Sequence, residues 1–446
     1  MAKKKKTGGA ADQQHAVIGN AEGTTAATYQ RTTHPDAQWF ANAGLGLFLH
    51  WGISTVHGKG DLSWAMMQDT PWDRHVNGEN HLTPLEYWKL AERFNPSRYE
   101  PEKWLAPAAA AGFTYAVLTS RHHDGYALWP TKHGEFSTAT HMGGRDLIGP
   151  YVEACRRTGL KAGLYYSPPD WYYRRKFMSF HATNLCDYYE GMEATGQDWK
   201  MCKLPAKPEG FEDRYVQQVH DQLVELLSDY GKIDVLWFDG GPACITMEEI
   251  HALQPGIVVN PRAHGFGDFS TAEGGDPGAR PAGWWERCDL WSRGGWAHTC
   301  YPYFSTSRIL SILARTRAWG GNLLINAGPT AEGNMPPQYF EKLGELTGWL
   351  THSGESVLGT EPGCWPDKAT VPITTRGDTW YMHYIDPGVD GATVEGITKP
   401  ESIKLLRTGN DMPYTNYDNG RLRVTIPMDL RTELDDVVVL RGVKAI

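Results

Sequence analysis

The chain has 446 residues, a formal net charge of −9 and a pI near 6.0. This balance argues against nucleic acids and anionic membranes as partners, because both need a clustered basic surface. The basic run at residues 3–6 is not followed by the apolar stretch of a signal peptide, and no window reaches the length of a membrane span. The seven cysteines are an odd set without CxxC spacing, which favours free thiols in a reducing compartment. We therefore expect a cytoplasmic protein, or a periplasmic or secreted one if a native leader was removed.

The aromatic content is high, with 18 Trp and 21 Tyr. Aromatic faces pack well against the C–H faces of sugars, so the composition favours a carbohydrate ligand. The length is sufficient for one large enzyme domain and a small second domain. We predict a disordered polar tail at residues 1–30, a catalytic barrel at 31–358 and a β-sandwich at 359–446.

Short apolar runs alternate with helical stretches from about residue 36 to 356, which predicts βαβ units and a parallel sheet. Each run is almost continuously apolar and turns polar at its C-terminal end, as expected of a strand that is covered on both faces. In chain order the runs are residues 45–52, 114–125, 160–167, 233–241, 256–262 and 322–329. The predicted fold is of the α/β class, a (β/α)8-like TIM barrel followed by a small antiparallel β-sandwich.

Helical signals separate these runs. Thr83 precedes Pro84, and Glu86 follows three residues after the threonine, which predicts a capped helix start. The stretch from 174 to 212 has little periodicity and predicts a long loop over the barrel mouth. After about residue 359, short alternating runs separated by Gly, Asp and Pro predict the β-sandwich. Spacings of three to four predict a helix between residues 213 and 231 whose buried face holds Val216, Val219, Leu223 and Leu226 or Leu227.

In a barrel, polar residues at the C-terminal ends of the strands face the active site. Here those positions combine hydrogen-bonding groups, aromatic rings and a carboxylate, Asp239, in an apolar context. They describe a sugar pocket better than a phosphate or nucleotide site, for which a GxGxxG or Walker-type loop is missing. The strand-end candidates are His50, Trp51, His122, His123, Asp124, Tyr165, Tyr166, Asp170, Trp237, Asp239, Asn260 and Arg262.

The chain contains five motifs, in order, that resemble those of glycoside hydrolase family 29, the α-L-fucosidases. They are LGLFLHWG, SRHHDGYALWP, GLYYSPPDW, DVLWFDGG and GGNLLINAGPTAEG. The resemblance covers about residues 34–360 and implies a barrel followed by a β-sandwich. It also implies a retaining exo-α-L-fucosidase that forms a covalent glycosyl-enzyme intermediate. The substrate is then a fucosylated oligosaccharide or glycoconjugate, no cofactor or metal is expected, and a homo-oligomer is compatible with this interpretation.

The resemblance implies that Asp239 is the nucleophile, since it matches the Asp of the family's W-x-D-G strand. The alternative for the same residue is a turn or N-cap aspartate before two glycines. The D-F-x-T-x-E stretch nominates Glu273, in a glycine-rich loop, as the acid/base. Glu286 is the second candidate, because the adjacent Trp284 and Trp285 would raise its pKa.

The resemblance further implies side chains that contact the sugar hydroxyls and an aromatic ring that packs against the sugar. A strand-end histidine is alternatively a hydrogen-bonded core residue, and neighbours on a strand face opposite sides. We therefore expect at least two of the three candidate histidines in the pocket. The substrate-binding candidates are His50, Trp64, His122, His123, Tyr165, Trp237 and Arg262.

One position departs from the family pattern, because Ser63 stands before Trp64 where many members have a Glu. We expect Ser63 to line the pocket. An α-L-galactosidase or another α-L-glycosidase therefore stays open as an alternative, since hydrophobic pockets reject an added hydroxyl only weakly. Two other classes also stay open. A metal-dependent barrel hydrolase is disfavoured because His122 and His123 are adjacent, and a non-catalytic sugar-binding protein is disfavoured by the carboxylates.

Overall fold

The computed structural model describes residues 14–15, 18–21, 28–70, 81–182, 188–412 and 414–446. Eight strands form one parallel sheet that curls into a barrel, which confirms the predicted fold. They are β1 (Leu45–Leu49), β2 (Tyr115–Arg121), β3 (Lys161–Tyr166), β6 (Val235–Phe238), β7 (Val258–Val259), β8 (Ser270–Glu273), β9 (Trp285–Leu290) and β10 (Asn322–Asn326). Two further strands between β3 and β6, β4 (Glu193–Thr195) and β5 (Met201–Lys203), form a separate antiparallel hairpin.

The order of strands in the barrel is β7-β6-β3-β2-β1-β10-β9-β8, so the sheet follows the chain around the barrel. Within the described ranges, no ladder joins the two end strands, β7 and β8. Asp268 bridges this seam. Its backbone N–H donates to the Val259 carbonyl (2.8 Å), and its buried carboxylate accepts from the Val259 N–H (2.9 Å). The two hydrogen bonds of Asp268 therefore connect the end of β7 to the start of β8 in place of a ladder.

Helices follow most of the barrel strands. The Thr83 capping box is present as predicted. The helix predicted between residues 213 and 231 is also present. On its buried face, however, Tyr215 stands in place of Val216, which is 39% exposed. The α-helices are α1 (Pro84–Trp88), α2 (Glu102–Ala110), α3 (Thr138–His141), α4 (Ile148–Thr158), α5 (Trp171–Arg174), α6 (Phe211–Ser228), α7 (Met247–Leu253), α8 (Thr306–Ala318) and α9 (Pro337–Ser353). Short 3-10 helices span Pro35–Asn42, Ile53–Val56, Leu62–Met66, Lys89–Glu92, Gly354–Ser356 and Met428–Leu430.

The barrel strands are buried on both faces, and their side chains alternate between two cores. In β1, Leu47 and Leu49 pack outward against the helices, whereas Phe48 packs inside the barrel. Gly46 leaves room inside the barrel for the ring of Tyr115, with which a Cβ at position 46 would collide. The ring of Tyr115 can therefore fill the barrel interior near the N-terminal ends of β1 and β2.

Two barrel strands, β8 and β9, lie where the sequence shows no apolar run. The residues of β8 are small, polar and partly exposed, and β9 contains the buried charged residues Glu286, Arg287 and Asp289. Charges inside a strand hide the apolar pattern on which strand prediction depends. As a result, Glu273 is the last residue of a strand and not part of a glycine-rich loop.

The C-terminal part is a β-sandwich, as predicted. Its strands are β11 (Glu361–Pro362), β12 (Ile373–Arg376), β13 (Thr379–Tyr384), β14 (Gly391–Glu395), β15 (Ser402–Leu405), β16 (Tyr414–Asp418), β17 (Arg421–Thr425) and β18 (Asp436–Arg441). The antiparallel sheets have the orders β11-β12-β13-β18-β15 and β14-β17-β16. Met382 and Leu440 of the first sheet share one core with Val394 and Leu422 of the second.

The stretch from 174 to 212 contains the β4–β5 hairpin, and residues 183–187 within it lie outside the described residues. It contacts the segment that follows Trp64. The Gln68 N–H donates to the Phe180 carbonyl (2.9 Å), and the Trp199 indole donates to the Met66 carbonyl (3.1 Å). These contacts place the insertion beside the barrel mouth, and part of it is a hairpin where the sequence predicted a loop over the mouth.

Part of the predicted N-terminal tail lies against the barrel. Ile18 is only 3% exposed, whereas residues 1–13, 16–17 and 22–27 fall outside the described residues. Of the helices that are described, none has both the length and the apolar character needed to cross a membrane. Six of the seven cysteines are free thiols, and Cys186 is not among the described residues.

Candidate active site

Three charged side chains meet at the C-terminal ends of neighbouring strands. Asp239 follows β6, Arg262 follows β7 and Glu273 ends β8. The Arg262 guanidinium donates from Nη1 to Asp239 Oδ1 (2.7 Å) and from Nη2 to Glu273 Oε2 (2.6 Å). The three side chains are nearly buried, with 3%, 11% and 12% exposure for Arg262, Asp239 and Glu273. Buried carboxylates need such a partner, so one cation holds two of them side by side.

The Asp239 carboxylate has further neighbours on its other oxygen. The Tyr165 hydroxyl donates to Oδ2 (2.7 Å), and His123 Nε2 lies 3.6 Å from the same oxygen. The adjacent Tyr166 faces away from the pocket, and its hydroxyl donates to Gln222 (2.8 Å). Strand alternation therefore brings Tyr165, a predicted substrate-binding residue, and not Tyr166, to the candidate nucleophile.

Opposing effects act on the pKa of Glu273. Burial raises this pKa, but the Arg262 guanidinium and a hydrogen bond between Oε2 and His15 Nε2 (2.9 Å) outweigh burial and lower it from 4.5 to about 2. The carboxyl is therefore ionised at neutral pH in this arrangement. To act as a proton donor, Glu273 has to lose one of these contacts first.

The second acid candidate, Glu286, lies inside the barrel below the pocket. It is fully buried; Tyr115 Oη donates to Oε2 (2.5 Å) and Trp237 Nε1 donates to Oε1 (3.0 Å). Burial raises the pKa of Glu286 to about 7, although both hydrogen bonds act in the opposite direction. The raised pKa agrees with the prediction, but both oxygens are engaged below the ring of Trp237, away from any glycosidic oxygen.

We expect Glu286 to make the stability of the fold depend on pH. The unfolded chain loses this proton near pH 4.5, whereas the folded protein keeps it up to about pH 7. Stability should therefore fall by on the order of 3 kcal/mol as the pH rises between these values. Glu286→Gln imitates the protonated side chain and should remove this slope. Urea unfolding of both proteins at several pH values tests the prediction, and an equal slope in both would contradict it.

The three candidate histidines are neutral and held in place. His50 and His122 line the pocket, whereas His123 lies beside Asp239 at the pocket floor. Burial lowers the pKa of all three rings, that of His50 to about 4. Each ring is fixed through Nδ1, so Nε2 of the two pocket-lining rings, His50 and His122, can meet a ligand, whereas Nε2 of His123 faces Asp239. The Nδ1 partners of His50, His122 and His123 are, in that order, Asn326 Oδ1 (2.8 Å), Ser63 Oγ (2.5 Å) and Ser167 Oγ (2.5 Å).

Ser63 lies behind the pocket wall, which corrects our expectation that it lines the pocket. It is fully buried, its hydroxyl bonds to His122 Nδ1, and it accepts a hydrogen bond from the Asp124 N–H (2.9 Å). Its neighbours Leu62 and Trp64, on the same 3-10 helix, face the pocket instead. Ser63 therefore acts on a bound sugar only through the orientation of His122.

Aromatic rings form much of the pocket wall. Trp237 stacks on Tyr165, with 5.6 Å between ring centroids, and carries the Arg262 guanidinium on its face at 4.5 Å. Trp64 packs edge-on against His123 (5.5 Å). The lining residues are Gln14, His15, Ile18, Phe48, His50, Leu62, Trp64, His122, Tyr165, Trp237, Asp239, Arg262, Glu273 and Trp296.

Sequence reasoning missed several of these lining residues. Trp296 follows β9, and its ring lies 5.0 Å from that of His50 and 6.0 Å from that of Phe48. Recognition of β9 as a strand would have pointed only to the loop after it, in which Trp296 lies six residues beyond the last strand residue. His15 and Ile18 carry no such signal, because they stand in a polar segment that resembles a tail.

A cluster of possible metal ligands also lies in this pocket. His122, His123 and Asp239 place ligand atoms within 4.8 Å of one another. The cluster fits a cation poorly, because Arg262 already contacts one oxygen of Asp239 and Tyr165 donates to the other. A guanidinium in contact with the carboxylate would repel a metal ion. The charges therefore favour chemistry by carboxylates.

The site now has the parts that cleavage of a glycosidic bond requires, which are aromatic walls, neutral imidazoles and paired carboxylates at the mouth of a barrel. Fold and site together define a glycoside hydrolase. The family model described as "Alpha-L-fucosidase" matches residues 12–355 of the chain. The protein therefore belongs to the α-L-fucosidase family, which confirms the resemblance of the five motifs.

Known members of the family are similar along most of their length. The tissue alpha-L-fucosidase of Macaca fascicularis is 26% identical over 428 residues, which cover 89% of this chain and 86% of the relative. The structure of alpha-L-fucosidase isoenzyme 1 from Paenibacillus thiaminolyticus matches with a TM-score of 0.71 at 27% identity, covering 91% of this chain and 98% of the other. The structure of Thermotoga maritima alpha-fucosidase in complex with fucose matches with a TM-score of 0.68 at 25% identity, covering 91% of this chain and 96% of the other.

Proposed function

We propose that the protein is a retaining exo-α-L-fucosidase in which Asp239 is the nucleophile and Glu273 the acid/base. The observation that carries this proposal is the bridge of Arg262 between the two carboxylates, 2.7 Å from one and 2.6 Å from the other. Retaining glycosidases have their carboxyl groups about 5 to 5.5 Å apart, whereas inverting enzymes leave room for a water between them. Two carboxylates on one guanidinium favour the closer spacing and therefore retention.

The proposed reaction has two steps. Asp239 attacks the anomeric carbon while Glu273 protonates the leaving oxygen, which gives a covalent glycosyl-enzyme and the free aglycone. Glu273 then takes a proton from water as the water attacks the same carbon and releases Asp239. The Tyr165 hydroxyl and Arg262 stabilise the negative charge on Asp239 when it is the leaving group.

The walls of the pocket suit a small, partly apolar sugar. The Nε2 atoms of His50 and His122 are available to hydroxyl groups, while Trp237 and Trp296 offer apolar surface to the ring and its C5 substituent. Fucose combines hydroxyls on one side with a methyl group on C5, and fucose is the sugar in the similar Thermotoga maritima structure. We therefore propose terminal α-L-fucosyl residues of oligosaccharides or glycoconjugates as the substrate.

A panel of 4-nitrophenyl α-L-fucoside, α-L-galactoside and α-L-glucoside tests the choice of sugar. We expect the highest kcat/KM on the fucoside. NMR spectroscopy of the first product tests the stereochemistry, because retention releases the α-anomer of the sugar before mutarotation. A higher kcat/KM on another glycoside would show that its sugar, and not fucose, is the preferred substrate. If the β-anomer is released first, the double displacement is excluded.

We expect the activity to be insensitive to chelators. Asp239, the carboxylate that groups with His122 and His123 among the described residues, is already paired with Arg262, so removal of divalent ions should leave kcat/KM unchanged. Assays after dialysis against EDTA, with and without added zinc, measure this directly. Loss of activity on dialysis and its recovery with zinc would support a metal-dependent hydrolase instead.

A further inference from the structure

An N-terminal segment, residues 14–15 and 18–21, is seated on the rim of the pocket. The Ile18 carbonyl accepts a hydrogen bond from the Gly241 N–H (3.0 Å), two residues after Asp239. The Ala21 N–H donates to the carbonyl of Arg262 (2.9 Å), and the Ile18 side chain is buried. The N-terminal segment thus binds to the backbone of two elements that carry the charged residues of the site.

The barrel rim fits the N-terminal segment closely. Gly240 has a φ of +89°, and a Cβ there would collide with the Ile18 carbonyl oxygen. A Cβ at Gly241 would lie 2.9 Å from the Gly19 carbonyl oxygen, closer than side chains tolerate. Backbone packs on backbone here because both rim positions are glycines.

His15 contacts one of the two carboxylate oxygens of Glu273, the proposed acid/base. Its Nε2 lies 2.9 Å from Glu273 Oε2, the same oxygen that accepts from Arg262. A carboxyl that protonates a leaving oxygen has to place one oxygen within hydrogen-bond distance of it. His15 and Arg262 both contact Oε2, so a leaving oxygen cannot approach that atom, and the same two contacts lower the pKa of the carboxyl and favour its ionised form.

The pocket is also too small for a sugar while the N-terminal segment is present. Its cavity volume is about 20 Å³, which is room for a single water molecule. Ile18 separates it from a neighbouring open cavity of about 420 Å³, whose walls include Trp171 and Tyr215. Departure of Ile18 would join the two spaces.

From these observations we infer that the N-terminal segment is an intramolecular competitor of the substrate, which occupies the leaving-group side of the pocket and has to be displaced before a glycoside binds. The inference rests on the proposed function of the site. If the segment occupies the pocket nine-tenths of the time, the apparent affinity for a ligand falls about tenfold.

Two truncated proteins test the inference. One lacks residues 1–21, and its matched control lacks residues 1–13 and keeps the N-terminal segment. We expect the shorter protein to show a KM for 4-nitrophenyl α-L-fucoside about tenfold lower than the control, with kcat changed less than twofold. In the full chain, Ile18→Asp should lower KM in the same direction, because it removes the buried side chain and leaves the barrel intact. Equal KM values in the truncated protein and its control, or a higher KM in the shorter one, would overturn the inference.

Two further measurements separate this inference from the proposed function. If neither protein hydrolyses an aryl L-glycoside, the proposed function fails. The competition is then measured by titration with L-fucose, which should quench tryptophan fluorescence. The concentration required should be about tenfold lower in the shorter protein, and equal concentrations in the two proteins would overturn the inference. Hydrogen exchange at the Gly241 amide needs no ligand. It should be faster in the protein without residues 1–21, and equal rates in the two proteins would show that the segment is not seated.

Discussion

Asp239→Gly should lower kcat for an aryl α-L-fucoside by at least about a thousandfold, because the first displacement loses its nucleophile. Azide should restore turnover of a substrate with an activated leaving group, since it fits the space that the carboxylate leaves. It attacks the face that Asp239 occupied, so the product should be the β-L-fucosyl azide. NMR spectroscopy of the isolated azide assigns the anomer.

A matched control for this variant is Asp239→Asn, which keeps the size of the side chain. It should be as inactive as the glycine variant and should not respond to azide, because no space is vacated. Formation of the α-azide by Asp239→Gly, or retention of more than about a tenth of the wild-type kcat, would contradict the role of Asp239.

Glu273→Ala should lower kcat/KM about 10²- to 10⁴-fold on fucosides whose leaving group needs a proton, and much less on activated aryl fucosides. With an activated substrate the covalent intermediate still forms but hydrolyses slowly. Azide then attacks the intermediate from the opposite face and should give the α-L-fucosyl azide. Opposite anomers from the two variants would distinguish the two carboxylate roles.

The isosteric variant Glu286→Gln is the control for the acid/base. Glu286 bonds to Tyr115 and Trp237 inside the barrel, so we expect at most a tenfold loss of kcat/KM and no azide product. An α-azide from the Glu286 variant, together with a Glu273→Ala protein that azide does not rescue, would transfer the acid/base role to Glu286.

Much of the architecture could be predicted because the buried strands are continuous apolar runs. The six runs became strands of the barrel, and the alternating tail became the sandwich. β8 and β9 could not be found this way. In β9, Arg287 and Asp289 are buried by pairing with each other, and Glu286 is buried by hydrogen bonds from Tyr115 and Trp237, which are distant in sequence.

The site was predictable to a similar degree. Strand ends pointed to Asp239, Tyr165 and Arg262, which the structure brings into direct contact. The position of Ser63 was not predictable, because a 3-10 helix turns its neighbours to the pocket and Ser63 to the core. The contact of His15 with Glu273 joins residues far apart in sequence, and local sequence patterns do not encode such contacts.

The seam at Asp268 lies between the proposed nucleophile, Asp239, and the proposed acid/base, Glu273. Asp239 stands on β6, which is joined to β3 and β7 by ladders, so its place is fixed by the sheet itself. Glu273 is the last residue of β8, across the seam from Arg262, and in the part of the chain that the structure describes β8 pairs with β9 alone. Small shifts of β8 therefore break few backbone hydrogen bonds. On the proposed assignment, the proton donor therefore stands on the strand that can adjust to leaving groups of different shape, whereas the nucleophile follows a strand that is paired on both sides.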